Sequence, residues 1–123
     1  MTDDHLTALE QRLAAAAPAD LAAMAAEWLA SAWPVDGKIP AFDPAFAVSL
    51  DKTLQLMVET FPNWVIMLQG TAHPTTGHWS CTLRKSGLRD DYEMIGIGSA
   101  PTAPLAMILA LLRVMIRQER GGN

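Results

Sequence analysis

Residues 79–84, Trp-Ser-Cys-Thr-Leu-Arg, and residues 92–97, Tyr-Glu-Met-Ile-Gly-Ile, lead through Gly98-Ser-Ala-Pro-Thr102 into a long apolar segment. In the first stretch apolar and polar side chains alternate, which is typical of a half-buried strand. The polar connection 86–91 contains a glycine and favours a hairpin between the two stretches. Two paired strands followed by a helix predict an α+β domain with an antiparallel sheet.

One more strand and the last helix complete this predicted core. Residues 64–68 are a continuous apolar run, which predicts a strand covered on both faces. The last helix is expected to begin at Thr102, with the threonine hydroxyl as its cap and Pro104 in its first turn. Its apolar residues lie on nearly every side, so we expect it to be buried all round. Three arginines near its end suit the helix dipole: Arg113, Arg117 and Arg120.

The N-terminal part of the chain is helical in pattern. Thr2, followed by two acidic residues, is typical of a helix start, and Pro18 both ends this helix and begins the next. Residues 1–32 therefore predict a helical hairpin. Residues 33–44 contain three prolines and one glycine and predict an irregular connection.

A third helix is expected to start either at Asp43-Pro44 or at Ser49 and to stop at Pro62-Asn63. We expect its buried side to consist of four residues: Leu50, Leu54, Met57 and Phe61. The predicted order of elements is α-α-α-β-β-β-α. At 123 residues, half of them hydrophobic, the chain fits one domain. Its α-β-β-β-α core would span residues 45–120.

Charge is distributed unevenly between the two halves of the chain. Residues 1–59 hold nine acidic and three basic residues, whereas residues 60–123 hold four acidic and six basic ones. A second half this weakly basic is a poor match to duplex nucleic acid, which needs several cations on phosphates. We interpret the acidic half as a solvated surface, with a binding face for a basic partner as the alternative.

Cysteine usage and the first residues bear on the compartment. Cys81 is the single cysteine, so no disulfide can form within the chain. The acidic start, Met-Thr-Asp-Asp-His, lacks the basic region of a secretory signal. No stretch is apolar and uninterrupted enough for a membrane span. We therefore expect a cytoplasmic protein that is not bound to a membrane.

Three residues have spacing that resembles a metal site: His73, His78 and Cys81. An odd separation within one strand sends the side chains of His78 and Cys81 to opposite faces, so we expect no metal there. Gly96-x-Gly98 before a helix resembles a phosphate-binding turn, but the fingerprint needs a parallel βαβ unit. No nucleophile stands in a known motif, so we predict no catalytic residues, no cofactor and no enzyme activity.

A basic hairpin offers an alternative function. Arg84, Lys85 and Arg89 flank the expected second turn and would serve a nucleic-acid-binding accessory factor. The β-β-β-α ending is also similar to double-stranded-RNA-binding domains. Those domains place lysines at the start of the last helix, where this chain reads Thr102-Ala-Pro-Leu-Ala-Met107. We therefore expect no duplex RNA binding, and nucleic acid remains the alternative to a protein partner.

From Ile39 onward the chain resembles a group of short proteins of tailed phages and prophages, the phage ABA (α/β/α) sandwich domains. The matching segments are Ile39-Pro-Ala-Phe42, Ser49-Leu-Asp51 with Leu54 and Leu56, Phe61-Pro-Asn-Trp64, Gly77-His-Trp79 with Leu83, Thr102-Ala-Pro-Leu-Ala106 and Ala110-Leu-Leu112. Residues 43–48 and 1–32 depart from the pattern. The resemblance implies a three-stranded sheet between helical layers and a phage accessory origin, and it implies no activity.

These observations lead to the hypothesis of a non-catalytic phage or prophage protein that binds a host or phage protein. An inhibitor of host defence, such as an anti-CRISPR protein, is one form of this hypothesis, and it follows from origin alone. We expect more apolar surface than one small domain covers, and hence a homodimer through the helical layers. The candidate interaction residues are Trp28, Met107, Leu111, Val114, Arg84, Lys85 and Arg89.

Overall fold

The structure, a computed structural model, describes residues 3–15, 18–33, 41–71, 78–84 and 95–121. The helices in these ranges are α1 (Asp3–Ala15), α2 (Pro18–Ala32), α3 (Leu50–Thr60) and α4 (Ala103–Gly121). The strands are β1 (Val65–Thr71), β2 (His78–Arg84) and β3 (Ile95–Ala100), and a short 3-10 turn, Pro44–Ala47, precedes α3. This order confirms the predicted α+β fold.

The strands form one antiparallel sheet in the order β1-β2-β3, as expected for a meander. Side chains alternate between two faces, so the register sorts them into rows. The inner face has the rows Ile66–Leu83–Gly96, Leu68–Cys81–Gly98 and Gly70–Trp79–Ala100. The outer face has the rows Val65–Arg84–Ile95, Met67–Thr82–Ile97, Gln69–Ser80–Ser99 and Thr71–His78.

Helix α4 packs against the inner face and contacts all three strands. Cys81 and Leu83 are fully buried beneath it, and every residue from Leu105 to Leu112 is at most 2% exposed. The predicted burial on all sides is therefore confirmed for residues 105–112 of this helix. Burying each large apolar side chain stabilises the fold by about 1.5–3 kcal/mol, so this contact is the main source of stability.

Two glycines let α4 approach β3 closely. A Cβ on Gly98 would overlap the carbonyl oxygen of Ala106 and lie 2.5 Å from the backbone nitrogen of Ala110. A Cβ on Gly96 would lie 2.5 Å from the carbonyl oxygen of Ala110 and from a methyl group of Val114. The Gly96-x-Gly98 spacing is thus explained by helix–sheet packing.

Among the described residues the outer face of the sheet lies open, contrary to two expectations. No described helix covers it, and Met67 and Ile97 are 52% and 48% exposed. The apolar run of residues 64–68 predicted a strand covered on both faces, and the family resemblance implied helical layers on both sides. The described part of the chain instead has its helices on one side only. Val65 is half-buried and Met67 is exposed, so the apolar run did not indicate buried positions at these two residues.

Helices α1 and α2 contact each other, in agreement with the predicted hairpin. Leu6, Leu9 and Leu13 of α1 are buried, and α1 also contacts α4 and β3. The hairpin therefore covers its own subunit. The predicted cap at Thr2 lies outside the described residues.

Both predicted starts of the third helix are used. The Asp43 carboxylate accepts a hydrogen bond from the N–H of Ala45 at 2.9 Å and caps the 3-10 turn, while the hydroxyl of Ser49 accepts from the N–H of Lys52 at 3.2 Å and caps α3. The helix ends at Thr60, and Asn63 adopts a positive φ of 69° in the turn that follows, as a stop at Pro62-Asn63 requires.

Two boundaries differ from expectation. Strand β3 continues to Ala100, although residues 98–102 were expected to form a connection; residues 92–94 lie outside the described part. The strand extends because Gly98, Ser99 and Ala100 pair with residues 79–81 of β2. Thr102 accepts the hydrogen bond of Ala106 through its carbonyl, but its hydroxyl bonds no group of the described chain, so the predicted hydroxyl cap does not form.

Candidate interaction surfaces

The free side of β3, called the β3 edge here, is occupied by two side chains. The N–H of Ser99 donates to Oε2 of Glu10 at 2.7 Å, and Nη1 of Arg113 donates to the carbonyl of Ile97 at 2.6 Å. Arg113 Nη2 forms an ion pair with Oε1 of Glu10 and donates to the hydroxyl of Thr7 at 3.1 Å. These side chains thus bond two backbone groups that another strand would otherwise pair with.

The pair that closes this edge is largely buried, since the side chains of Arg113 and Glu10 are only 13% and 16% exposed. Charged hydrogen bonds in such surroundings are stronger than neutral ones. Arg113 was expected to stabilise the dipole at the end of α4, and the structure corrects this: its guanidinium reaches β3 instead. No signal in the sequence links Glu10 to Arg113, because they belong to helices at opposite ends of the chain.

The register shows which backbone groups point outward on β1. The carbonyl of Ile97 and the N–H of Ser99 form their hydrogen bonds on the side of β3 that faces away from β2. In an antiparallel sheet the residues opposite them, Thr82 and Ser80, then direct their own N–H and C=O groups away from β3 and toward β1. Thr82 and Ser80 pair with Met67 and Gln69, so the N–H and C=O groups of Met67 and Gln69 point toward β2. The N–H and C=O groups of the alternate residues point out of the sheet: Ile66, Leu68 and Gly70.

These outward groups form the β1 edge. β1 is the terminal strand of the sheet, and no backbone hydrogen bond joins its free side to another described segment. The strand, Val-Ile-Met-Leu-Gln-Gly-Thr, carries no charge and no proline. Charged residues, prolines and covering side chains are the usual means by which proteins protect an edge strand from pairing. In the described structure the β1 edge has none of them.

A second candidate surface, the α3 ridge, consists of Val48, which lies just before α3, and of Leu50, Leu54 and Val58 on the helix. These side chains are 43–61% exposed. The last three are spaced by four residues, so they form one row along the helix. Leu50 and Leu54 were predicted to be buried with Met57 and Phe61; only the latter two are.

Thr53 explains this rotation of α3. Its side chain is fully buried, and its hydroxyl lies 2.8 Å from the carbonyl of Phe46 and 2.9 Å from that of Ser49, within reach of both. Burying Thr53 with Leu56 and Met57 turns the row of Leu50 and Leu54 outward. The core side of α3 thus contains a hydrogen-bonded threonine where the apolar pattern predicted leucines. Apolar periodicity alone does not predict a buried threonine.

Three of the predicted interaction residues are core residues. Met107, Leu111 and Val114 are 0–2% exposed in the monomer, because the sheet and the other helices cover this part of α4. They offer no surface to a partner, and a dimer through this helix would have nothing apolar left to bury there.

The other predicted interaction residues are placed as follows. Trp28 is half-buried, and the guanidinium of Arg12 lies over its ring at 5.6 Å from the centroid. Arg84 is half-buried on the outer face, beside Val65 and Ile95. Lys85 and Arg89 lie outside the described residues, so the basic hairpin stays a prediction.

The metal candidates separate as strand parity predicts. Cys81 is buried on the inner face and His78 is exposed on the outer face, while His73 lies outside the described part. Burial raises the pKa of the Cys81 thiol to about 11. A buried thiol with a raised pKa is neutral at physiological pH and inert as a nucleophile. Among the described residues no three His, Cys, Asp or Glu side chains gather as a metal site would require.

Comparisons with family models, with curated proteins and with solved structures found no match to this chain. Within the described residues no helix has the length and apolar character needed to cross a bilayer. The surfaces themselves are therefore the basis for assigning a function.

Proposed function

We propose that this chain is a non-catalytic protein-binding protein and that the α3 ridge is its contact surface for the partner. The observation that carries the proposal is the row of Leu50, Leu54 and Val58 along α3, with Val48 just before the helix, because all four side chains are 43–61% exposed. Contiguous apolar surface on a small protein marks an interaction site more often than chance exposure does.

The shape of the ridge indicates the kind of partner. Leu50, Leu54 and Val58 stand at i, i+4 and i+8, which gives a row of about 12 Å along the helix. Such a row packs into the groove of another helix or into an apolar cleft. The capped start of α3 and the bonds of Thr53 hold the helix in place, so little ordering cost attends binding.

The origin of the protein is a separate part of the proposal. The resemblance to phage ABA sandwich domains supports a phage or prophage accessory role, with a host or phage protein as partner. Inhibition of a host defence system, as by an anti-CRISPR protein, is the form of that role which we propose to test first. The basic hairpin has no comparable support, since only Arg84 of its three residues is described.

The test is a pull-down from bacterial lysate with a matched pair of variants. Leu54→Lys places a charge in the middle of the ridge, whereas Gln55→Lys adds the same charge at the next, also exposed, position. A partner bound by the wild type and by Gln55→Lys, but lost with Leu54→Lys, supports the proposal. A partner that both variants retain would show that α3 is not the contact surface.

A mass-spectrometric identification of the captured protein then tests the origin. A defence nuclease or one of its subunits supports the inhibitory role, and a virion component supports another phage role. If a purified partner binds in a salt-sensitive manner only through nucleic acid, the alternative function replaces the proposed one.

A further inference from the structure

We propose that the β1 edge binds the β1 edge of a second copy of this chain, so that two three-stranded sheets join into one six-stranded antiparallel sheet. This inference concerns a surface other than the α3 ridge and does not depend on the proposed function. It rests on the contrast between a strand edge bonded by side chains and one that the described chain leaves unpaired.

The first argument is the geometry of the backbone. Ile66, Leu68 and Gly70 direct their N–H and C=O groups out of the sheet, as the register requires. In an antiparallel pair related by a two-fold axis at Leu68, that residue faces Leu68 of the partner subunit, and Ile66 faces Gly70 of the partner subunit. Every outward residue then meets another outward residue, so each of these pairs exchanges both of its hydrogen bonds.

The second argument is steric and electrostatic fit. The whole strand Val65–Thr71 is uncharged, so pairing with a second copy sets no like charges against each other. Ile66 is the β-branched residue of the facing pair, and Gly70 opposite it has no side chain to crowd it. A partner protein would need a strand of its own for this edge, whereas a second copy supplies a self-complementary one.

The third argument is exposure on the outer face. Met67 is 52% exposed and Gln69 is exposed beside it. In the proposed register Met67 lies opposite Gln69 of the partner subunit as a close, non-hydrogen-bonded pair. The joined sheet therefore buries apolar surface of Met67 that the single subunit leaves in water.

The experiment uses charge variants of the full chain in sedimentation at micromolar concentration. We expect the wild type to sediment at twice the mass of the 13.3 kDa chain. Met67→Lys with Gln69→Lys puts lysine opposite lysine twice across the junction, and we expect a loss of dimer affinity of about tenfold or more. Met67→Glu with Gln69→Glu is expected to do the same.

Mixing the two double variants restores the pairing, because each lysine then faces a glutamate. Recovery of a dimer from the mixture, and not from either variant alone, supports the proposed register and shows that both variants fold. Ile97→Lys is the matched control: it adds a charge to an equally exposed position of the outer face, on the far strand. We expect it to leave the dimer intact.

Hydrogen exchange gives an independent measurement on the same edge. In the wild type the amides of Ile66, Leu68 and Gly70 should gain protection as protein concentration rises, and in the lysine double variant they should not. Three results would overturn the proposal: a monomer alone at high micromolar concentration, a dimer unchanged by the lysine double variant, or a dimer dissociated by Ile97→Lys.

Discussion

The two edges of the sheet contrast in what bonds them. On β3, the groups that point outward are bonded by Glu10 and Arg113, which come from helices at opposite ends of the chain. On β1, the outward groups of Ile66, Leu68 and Gly70 meet no other described segment. The contrast shows that the fold can supply side chains to an edge strand, and that among the described residues it does so on one side only.

This difference matters because unprotected edges pair with other chains. Closing the β3 edge requires a buried ion pair, whose desolvation offsets much of its attraction. The same result on β1 would have required only one exposed lysine or proline. The β1 edge stays unpaired within the described ranges although a single substitution could protect it. We therefore place the second copy on this edge.

The largest effect is expected from Gly98→Ala. The new Cβ would meet the backbone of Ala106 and Ala110, and backbone atoms cannot rotate away. Helix α4 must then move off β3 and carry Arg113 with it, so the β3 edge opens. We expect a loss of about 3 kcal/mol or more in the free energy of unfolding, measured by urea denaturation.

Ser99→Ala is the control for Gly98→Ala. It keeps the backbone N–H that Glu10 accepts from, and its side chain lies on the outer face, away from α4. Its effect should stay within about 0.5 kcal/mol. If Gly98→Ala were equally mild, α4 would not lie as close to β3 as the structure places it.

The next effect is expected from Arg113→Met. This change keeps an unbranched side chain that covers the same apolar surface near the helix, and it removes the donors to Ile97 and Glu10, which leaves a largely buried carboxylate without its cation. Hydrogen bonds to charged groups contribute roughly 1.5–3 kcal/mol, so we expect a loss of about 2 kcal/mol.

A double-mutant cycle with Glu10→Ala separates the pair from its surroundings. The double variant should lose clearly less than the sum of the two single losses, because each single change already removes the ion pair. Additive losses would mean that Glu10 and Arg113 bond β3 independently of each other.

The sequence predicted the elements and the core better than the surfaces. Alternation in residues 79–84 and the all-round apolar pattern of α4 are local signals, and both elements formed as expected. The Glu10–Arg113 pair joins residues 103 positions apart and leaves no periodic signal. Its ends look like an ordinary helix acid and an ordinary C-terminal arginine.

Two errors concerned which apolar side chains are exposed. In α3 the buried hydroxyl of Thr53 turns Leu50 and Leu54 outward, and in β1 an apolar run lies on a sheet with one open face. In both places the apolar residues outnumber the buried positions. Periodicity assigns all of them to the core, whereas tertiary packing selects among them, and the remainder forms the candidate surfaces.

Cys81 lies in the central strand, between the two edges. The rate at which a reagent labels its thiol therefore measures whether loss of the bonds at an edge also exposes the core. Burial raises its pKa from 9.0 to about 11, so the thiolate fraction at pH 8 is about a hundredfold below that of the unfolded chain. We expect slow labelling by a thiol reagent in buffer and fast labelling in urea. Arg113→Met should speed labelling in buffer, and Met67→Lys should not.

The same thiol sets a dependence of stability on pH. Its folded pKa is the higher one, so its contribution is complete below pH 9 and is lost as the pH rises from 9 toward 11, where only the unfolded chain ionises it. Cys81→Ala removes this contribution to the pH dependence. If wild type and variant lost stability in parallel over that range, the thiol would be accessible to water in the folded protein.

The smallest effect on a single subunit is expected from Met67→Lys. The side chain is 52% exposed on the outer face, and Ile97 in the same row is 48% exposed, so a lysine there can extend into solvent. In dilute solution, where any dimer has dissociated, the free energy of unfolding should change by less than about 0.5 kcal/mol. A loss well above this would mean that the outer face is covered within one subunit.

The effect of Met67→Lys should grow with protein concentration, and this growth separates the two edges. A dimer stabilises the folded state by mass action, so the urea midpoint of the wild type should rise as the protein is concentrated. Met67→Lys weakens the β1 contact and should flatten that rise, whereas Arg113→Met should lower the midpoint at every concentration. If both variants lowered the urea midpoint by the same amount at every protein concentration, neither edge would bind a second copy. The two edges would then differ only in their hydrogen bonds.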